Sequence, residues 1–370
     1  MVEARTAMRG TAWAIYAVLV LEFLFLISPL APLFYSFYGP VLHVLERFPE
    51  TAWLTQFFLP RLSTTADPIL NLLQPLGWAL LALGTVFFLA CALPLYWSML
   101  IGRGQVVGGL YRIIRHPQYV GLAIMGFGVL LIWPRFLVLV SLVVMLGLYR
   151  IFAGTEESQC LARFGDSYRA YMAATGGFLP RAWSQRLPRL LPDEGPGRIV
   201  VGSLVFLATL GLSLVAAFAL RSYSLSQVAV LYRADDALLS PARLNEQEVD
   251  TAYETALQDP AVRAALDRAP AGKRLVYVVP QDWDLLPVEA RTAAKGLPRD
   301  RPSSDRTHYK LLFALARSHD LNATGPEMVK DAYDLDPIIA AQVDIAAARV
   351  TAVEPPPANA RWADIPRPTF

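Results

Sequence analysis

Two short stretches of this chain carry residues that could do chemistry together. The first holds Gly109, then Tyr111-Arg112, then Arg115-His116-Pro117, Tyr119 and Gly121. The second opens on Glu156-Glu157 and continues through Phe164-Gly165, Tyr168, Tyr171 and Pro180. Cationic side chains can hold a carboxylate, and acidic ones an amine, so Arg115, His116, Tyr119, Glu156 and Glu157 together could grip a zwitterion. Taken singly, some of these residues have plainer explanations. Arg112 suits the charged end of a membrane span, and Tyr168 and Tyr171 suit an amphipathic helix packed on a membrane surface. Their joint pattern goes further, because an interfacial belt requires neither Pro after His, nor Gly two residues after Tyr, nor a pair of Glu opposite.

The elements that must bring these stretches together are apolar. Of the 370 residues, 55% are hydrophobic and only 17% charged, with a mean hydropathy of +0.38. Soluble domains are about a quarter charged, so the balance points to a membrane protein. The long apolar runs lie in residues 1–222, whereas 223–370 have the composition of a soluble domain. A net charge of +2 without any nucleic-acid motif excludes a nucleic-acid partner. Cys91 and Cys160 are the only cysteines, which excludes a disulfide framework and a cysteine zinc site. Arginine far outnumbers lysine, and Ala, Leu and Pro are abundant, which fits a GC-rich bacterial genome.

A helix needs about 20 apolar residues to cross a bilayer. The first candidate runs from Thr11 to Phe34 around a single Glu22, and the second spans Leu76–Leu100, with Pro75 and Gly77 read as its start. Gln118–Ile132 and Phe136–Tyr149 flank Trp133-Pro134-Arg135, and read as a helical hairpin with short arms turning at the far interface. Ile199–Leu220 is the last candidate, bracketed by Arg198 and Arg221. Five spans put the arginines after the second span and those after the hairpin on the same side as Arg5 and Arg9, the cytoplasm by the positive-inside rule. The two stretches that could grip a zwitterion are then cytoplasmic, in what reads as a bacterial inner membrane, and the C-terminal domain periplasmic. The expected fold class is therefore an all-α polytopic membrane bundle with an appended α+β soluble domain. Its parts are 1–67 (first span and interfacial loop), 68–195 (membrane core), 196–222 (last span) and 223–370 (soluble domain, free to take a protein partner).

Within that domain, Gln227–Tyr232 and Leu275–Val279 read as strands, and Glu246–Leu257, Pro260–Arg268, Tyr309–Ser318 and Pro326–Tyr333 as helices. Asp320, Asn322, Thr324, Gly325 and Asp331 resemble a calcium loop only in part. Asp closes the loop where Glu is usual, so a glycine turn between helices explains it better and no metal site is assigned. Glu22 lies near the middle of its span, where a carboxylate is costly; substrate contact is one explanation, and a protonated Glu bonded to a neighbouring helix is the other.

The pattern Gly-x-Tyr-Arg-x-x-Arg-His-Pro-x-Tyr-x-Gly, followed by Glu-Glu and Phe-Gly-x-x-Tyr-x-x-Tyr, resembles the isoprenylcysteine carboxyl methyltransferase and phospholipid methyltransferase group of integral-membrane enzymes. The resemblance covers roughly residues 70–182. It implies S-adenosylmethionine as cofactor, bound by His116, Pro117, Tyr119, Gly121, Glu156 and Glu157. It also implies a lipophilic or small methyl acceptor reaching the site from the bilayer: an isoprenoid or thiol carboxylate, a phospholipid amine or a similar group. Extending the resemblance, Arg115 and His116 face the methionyl carboxylate and Glu157 the ammonium. Arg115, His116 and Glu156 are then the catalytic candidates, with His116 or Glu156 accepting a proton where the acceptor must lose one. Two other readings stay open, a non-catalytic scaffold of the same fold that binds a partner, and an NADPH-dependent enzyme resembling membrane sterol reductases.

Overall fold

The computed structural model describes residues 44–45, 48–60, 65–101, 106–186, 196–281 and 306–355. The first expected span, with Glu22, lies outside the described residues. The chain divides into two compact units. One, a helical bundle, holds Gln56–Val230 with Ser240–Leu244. The other holds Leu231–Leu239, the chain from Asn245 onward and the described residues up to Thr55, among them a short helix α1 (Pro49–Ala52).

The bundle begins with α2 (Pro68–Leu100). Asp67 caps it, its Oδ1 accepting from Ile69 N at 2.8 Å, and Pro68 fills the first turn where no N–H is needed. Pro75 and Gly77 do not mark the start of this span, because the helix runs through both. Gly77 instead lies against α3 (Pro117–Ile132), where an added Cβ would come within 2.9 Å of Gly128 O. A second contact of this kind joins Gly84 and Met125, and two more join Gly121 to Phe88 and Gly128 to Leu81. Each leaves a hypothetical Cβ 2.6 to 2.9 Å from the partner's backbone. Glycines seven residues apart on each helix thus let the two backbones meet closely, the usual means of joining helices in lipid.

Trp133 N donates to Val129 O at 2.7 Å to end α3, and Pro134 and the extended Arg135 turn the chain into α4 (Phe136–Phe164). The hairpin is as expected, but its second arm is much longer than Phe136–Tyr149. It carries Glu156 and Glu157 on the same continuous helix. Gly165, at φ +56°, breaks that helix and leads into α5 (Asp166–Ala174), a conformation open to glycine and costly for other residues. The short α6 (Arg181–Ser184) and the long α7 (Pro196–Ser226) follow. Among the described residues, three helices are long and apolar enough to cross a membrane: Pro68–Ser98, Phe136–Phe164 and Ile199–Ser226. α3 is shorter, with 16 residues. Apolar side chains of α7 such as Ile199, Leu212 and Val215 are left exposed, as a lipid-facing surface requires.

The ends of the bundle are distinct. At one, Phe58 N donates to Pro134 O (2.9 Å), Phe136 N to Gln56 O (3.1 Å) and Ala66 N to Gln227 O (3.0 Å), while Tyr223 bonds Asp67 Oδ2 at 2.7 Å. This end gathers the start of α2, the hairpin turn and the last turn of α7. The N-terminus of α3 and the C-terminal part of α4 lie at the other.

The second unit is built on a six-stranded sheet in the order β1 (Ala229–Tyr232), β2 (Asp236–Ser240), β3 (Arg274–Pro280), β4 (His308–Ser318), β5 (Ala332–Asp344), β6 (Arg349–Glu354). β2 and β3 are parallel, joined through α8 (Glu246–Gln258) and α9 (Pro260–Arg268), and β3 to β6 run antiparallel in sequence. Asn245 and Glu248 form a capping box at α8, and Asp259 caps α9 ahead of Pro260, so both helices begin where their sequences dictate. Two expected helices are corrected. Tyr309–Ser318 is strand β4, and of Pro326–Tyr333 only α10 (Glu327–Lys330) is helical before β5 begins. β4 is central, with Leu312 opposite both Tyr277 and Ala340. Leu311, Leu312, Phe313 and Ala314 are all buried, and a run covered on both faces has no alternation to betray a strand. The loop around Asp320 joins β4 to α10 and β5. Its Asp331 carboxylate accepts from Asp320 N at 2.6 Å, which holds a turn together.

Candidate functional site

α3 and α4 are antiparallel, so the N-terminus of one meets the C-terminal part of the other. This brings the two sequence stretches side by side. His116 caps α3, with Pro117 in the first turn and Tyr119 one residue further from Gln118 on the same buried end. On α4, Tyr149, Ala153, Glu156 and Glu157 follow at helical spacing and share a face.

Arg115 Nε donates to Glu157 Oε1 at 2.6 Å, and His116 Nε2 lies 3.0 Å from the same oxygen. Tyr119 donates to Glu156 Oε1 at 2.7 Å. His116 Nδ1 sits 3.5 Å from Glu156 Oε2, within ion-pair range, yet makes no hydrogen bond although it is buried. Arg115, His116, Tyr119, Glu156 and Glu157 therefore meet as one cluster. Gly121 does not join it but faces α2, and Pro117 contributes the helix start.

The surrounding loop holds the cluster in place. Arg115 Nη1 donates to Met172 O (3.1 Å) and Thr175 O (2.7 Å), Arg115 N to Gly176 O (2.8 Å), and His116 N to Gly177 O (3.1 Å). Gly176 is required there, since a Cβ would fall 1.8 Å from Leu179 O. Tyr171, expected only to pack on the membrane surface, donates to Tyr111 O at 2.6 Å and fastens α5 to the loop before α3. Tyr111 reaches Gln118 Oε1 (3.2 Å) and Cys91 O (3.3 Å), and so ties that loop to α2.

The aromatic wall is partly new. Tyr119 stacks on Tyr149 with ring centroids 5.2 Å apart, and Phe178 lies 5.6 Å from the His116 ring. Tyr149 is legible in hindsight, two helical turns before Glu156, whereas Phe178 carried no signal. Burial disfavours the His116 cation, but the two neighbouring carboxylates, Glu157 hydrogen-bonded at 3.0 Å and Glu156 at ion-pair distance, more than offset this and raise its pKa above the ordinary 6.5. Burial likewise pushes Tyr171 up to about 12 and keeps it a phenol.

Chemically, the cluster offers a carboxylate with one oxygen free of hydrogen bonds to side chains in the cluster (Glu156 Oε2), a buried imidazole nitrogen able to give or take a proton, and aromatic faces suited to a cation. Glu157 and Arg115 are largely spent on each other and on backbone carbonyls. Among the described residues no group of three or more His, Cys, Asp or Glu could hold a metal ion.

Residues 75–167 match the family model of phospholipid methyltransferases. The matched stretch contains α3, most of α2 and both halves of the cluster, in agreement with the resemblance carried by the motifs. No curated protein and no solved structure matches the chain. The family match and the three apolar helices point together to an integral-membrane methyltransferase.

Proposed function

We propose that the bundle is an S-adenosylmethionine-dependent methyltransferase acting on a lipophilic or small acceptor at the end where α3 begins. The observation that carries this reading is the convergence of His116, Tyr119 and Glu156 around a buried nitrogen without a hydrogen bond, inside the segment matched to the family. These residues fit the cofactor: Glu156 Oε2 suits an ammonium, His116 Nδ1 a polar group, and the Tyr119–Tyr149 pair a sulfonium face. When bound, S-adenosylmethionine supplies an already activated methyl group, so the protein has only to align the acceptor and exclude water. Where the acceptor carries a proton, Glu156 and His116 are placed to receive it.

This reading gives Arg115 and Glu157 a supporting part in place of direct grip on the methionyl group. It keeps five spans, counting α3 and the apolar run from Thr11 to Phe34, and a cytoplasmic site. The same span count keeps the C-terminal domain on the periplasmic side. Calorimetric titration of purified protein with S-adenosylmethionine and its demethylated product tests the proposal. Micromolar binding to the wild type, lost in His116→Ala while the variant remains folded, is the expected result. Selective binding of NADPH would favour the reductase reading, and binding of none of the three the scaffold.

A further inference from the structure

A surface beside the cluster has a character of its own. The segments 106–116 and 175–186 are laced together: Gly176 N donates to Ile113 O at 3.3 Å, and Ile114 pairs with Gly176 in a parallel bridge. Their inner side chains belong to the cluster. Their outer ones are Val107 (44% exposed), Ile113 (50%), Leu179 (41%) and Trp183 (62%), interspersed with exposed Arg112, Arg181 and Arg186. Neither segment contains an acidic residue. An exposed Trp among aliphatic side chains and unopposed arginines is unsuited to bulk water, but suits the headgroup layer, where apolar groups reach the acyl chains and cations stay among phosphates. Position agrees, since the apolar helices α3 and α4 begin and end at this level.

We infer that this patch is a docking surface for anionic phospholipid headgroups. Arginines on it favour lipids of negative charge by roughly fivefold each in local enrichment. Because Arg115 N and His116 N bond directly to Gly176 O and Gly177 O, a patch seated on lipid also steadies the loop that frames the cluster. The inference does not depend on which reaction the cluster performs.

The test uses the full-length protein in nanodiscs of mixed phosphatidylcholine and phosphatidylglycerol, with brominated acyl chains on one lipid at a time. Trp183 fluorescence is isolated by subtracting the signal of a Trp183→Phe variant. Quenching of Trp183 should be several-fold stronger when phosphatidylglycerol carries the bromines than when an equal amount of phosphatidylcholine does. In the triple variant Arg112→Gln/Arg181→Gln/Arg186→Gln the two lipids should quench alike. A Trp183 untouched by either lipid, or quenched equally by both in the wild type, overturns the inference. So does a preference that survives the triple variant.

Discussion

Arg115 and Glu157, 42 residues apart in sequence, form a 2.6 Å ion pair whose guanidinium also caps two carbonyls at the end of α5, Met172 O and Thr175 O. The pair is largely sheltered, with 13% and 19% of the side chains exposed. Arg115→Ala should therefore leave Glu157 with His116 alone as partner and Met172 O and Thr175 O without this donor, and cost about 3 kcal/mol. Arg115→Lys should recover little of this, because a single ammonium cannot span a carboxylate and two carbonyls as a planar fork does. Thermal unfolding in detergent, wild type against both variants, checks the prediction. Full recovery by Lys would show that charge alone matters.

The same cluster makes stability depend on pH. His116 has a folded pKa above 6.5, because Glu156 and Glu157 outweigh the opposing effect of burial. A group whose pKa rises on folding contributes its full stabilisation below the unfolded value and loses it as pH climbs through the folded one. The wild type should lose thermal stability from about pH 6.5 upward, and His116→Gln should show a flatter profile over that window. A wild-type profile identical to that of the variant would rule out this protonation.

Much of this was readable from residue order, and the parts that were not share a cause. The hairpin is legible because two uncharged runs flank Trp133-Pro134-Arg135, and α9 because Asp259-Pro260 is a helix start on its own. β4 is hidden because burial on both faces removes its alternation. The length of α4 is hidden too, because Arg150, Glu156 and Glu157 look like a break in a span although the helix continues beyond them. Pairing of Arg115 with Glu157, in place of a ligand, depends on where Met172 and Thr175 present their carbonyls. That is tertiary information, which a motif does not carry.

Close packing of α2 on α3 gives a steric prediction. A Cβ on Gly84 would lie 2.6 Å from Met125 N, and one on Gly128 would lie 2.6 Å from Leu81 N. Both obstructions are backbone atoms, which cannot swing aside. Gly84→Ala and Gly128→Ala should each push the helices apart and cost about 1–3 kcal/mol. Gly211→Ala on α7, where a Cβ meets nothing within 4 Å, is the control and should be neutral. Unfolding midpoints of the three variants give the comparison.

In the sheet unit, Asp236 is buried and binds Arg274 through both its oxygens, at 2.5 Å and 2.9 Å, while Tyr253 donates to it from α8. This triad ties β2, β3 and α8 at the parallel crossover. Asp236→Ala strands both partners and should cost about 3 kcal/mol, whereas Tyr253→Phe removes one hydrogen bond for about 1–2 kcal/mol. Hydrogen exchange of the full-length protein should show faster opening of Asp236–Ser240 and Arg274–Pro280, more so in the first variant.

Tyr119 and Glu156 separate a cofactor role from a structural one. Tyr119 holds Glu156 Oε1 at 2.7 Å, and so aims Oε2 toward His116 Nδ1. In Glu156→Gln the shape and the tyrosine partner persist but the charge is gone. Affinity for S-adenosylmethionine should then fall about tenfold to a hundredfold, as loss of a charge-assisted bond worth roughly 1.5–3 kcal/mol implies. In Tyr119→Phe the charge persists but its direction is free, so the loss should be smaller, about tenfold or less. Each change also removes one interaction within the cluster, so unfolding midpoints should fall only by what a loss of about 1–2 kcal/mol implies. Titration calorimetry beside thermal unfolding distinguishes the cases: affinity that falls only in step with stability would make Glu156 a structural residue, and the cofactor would have to be sought elsewhere in the bundle.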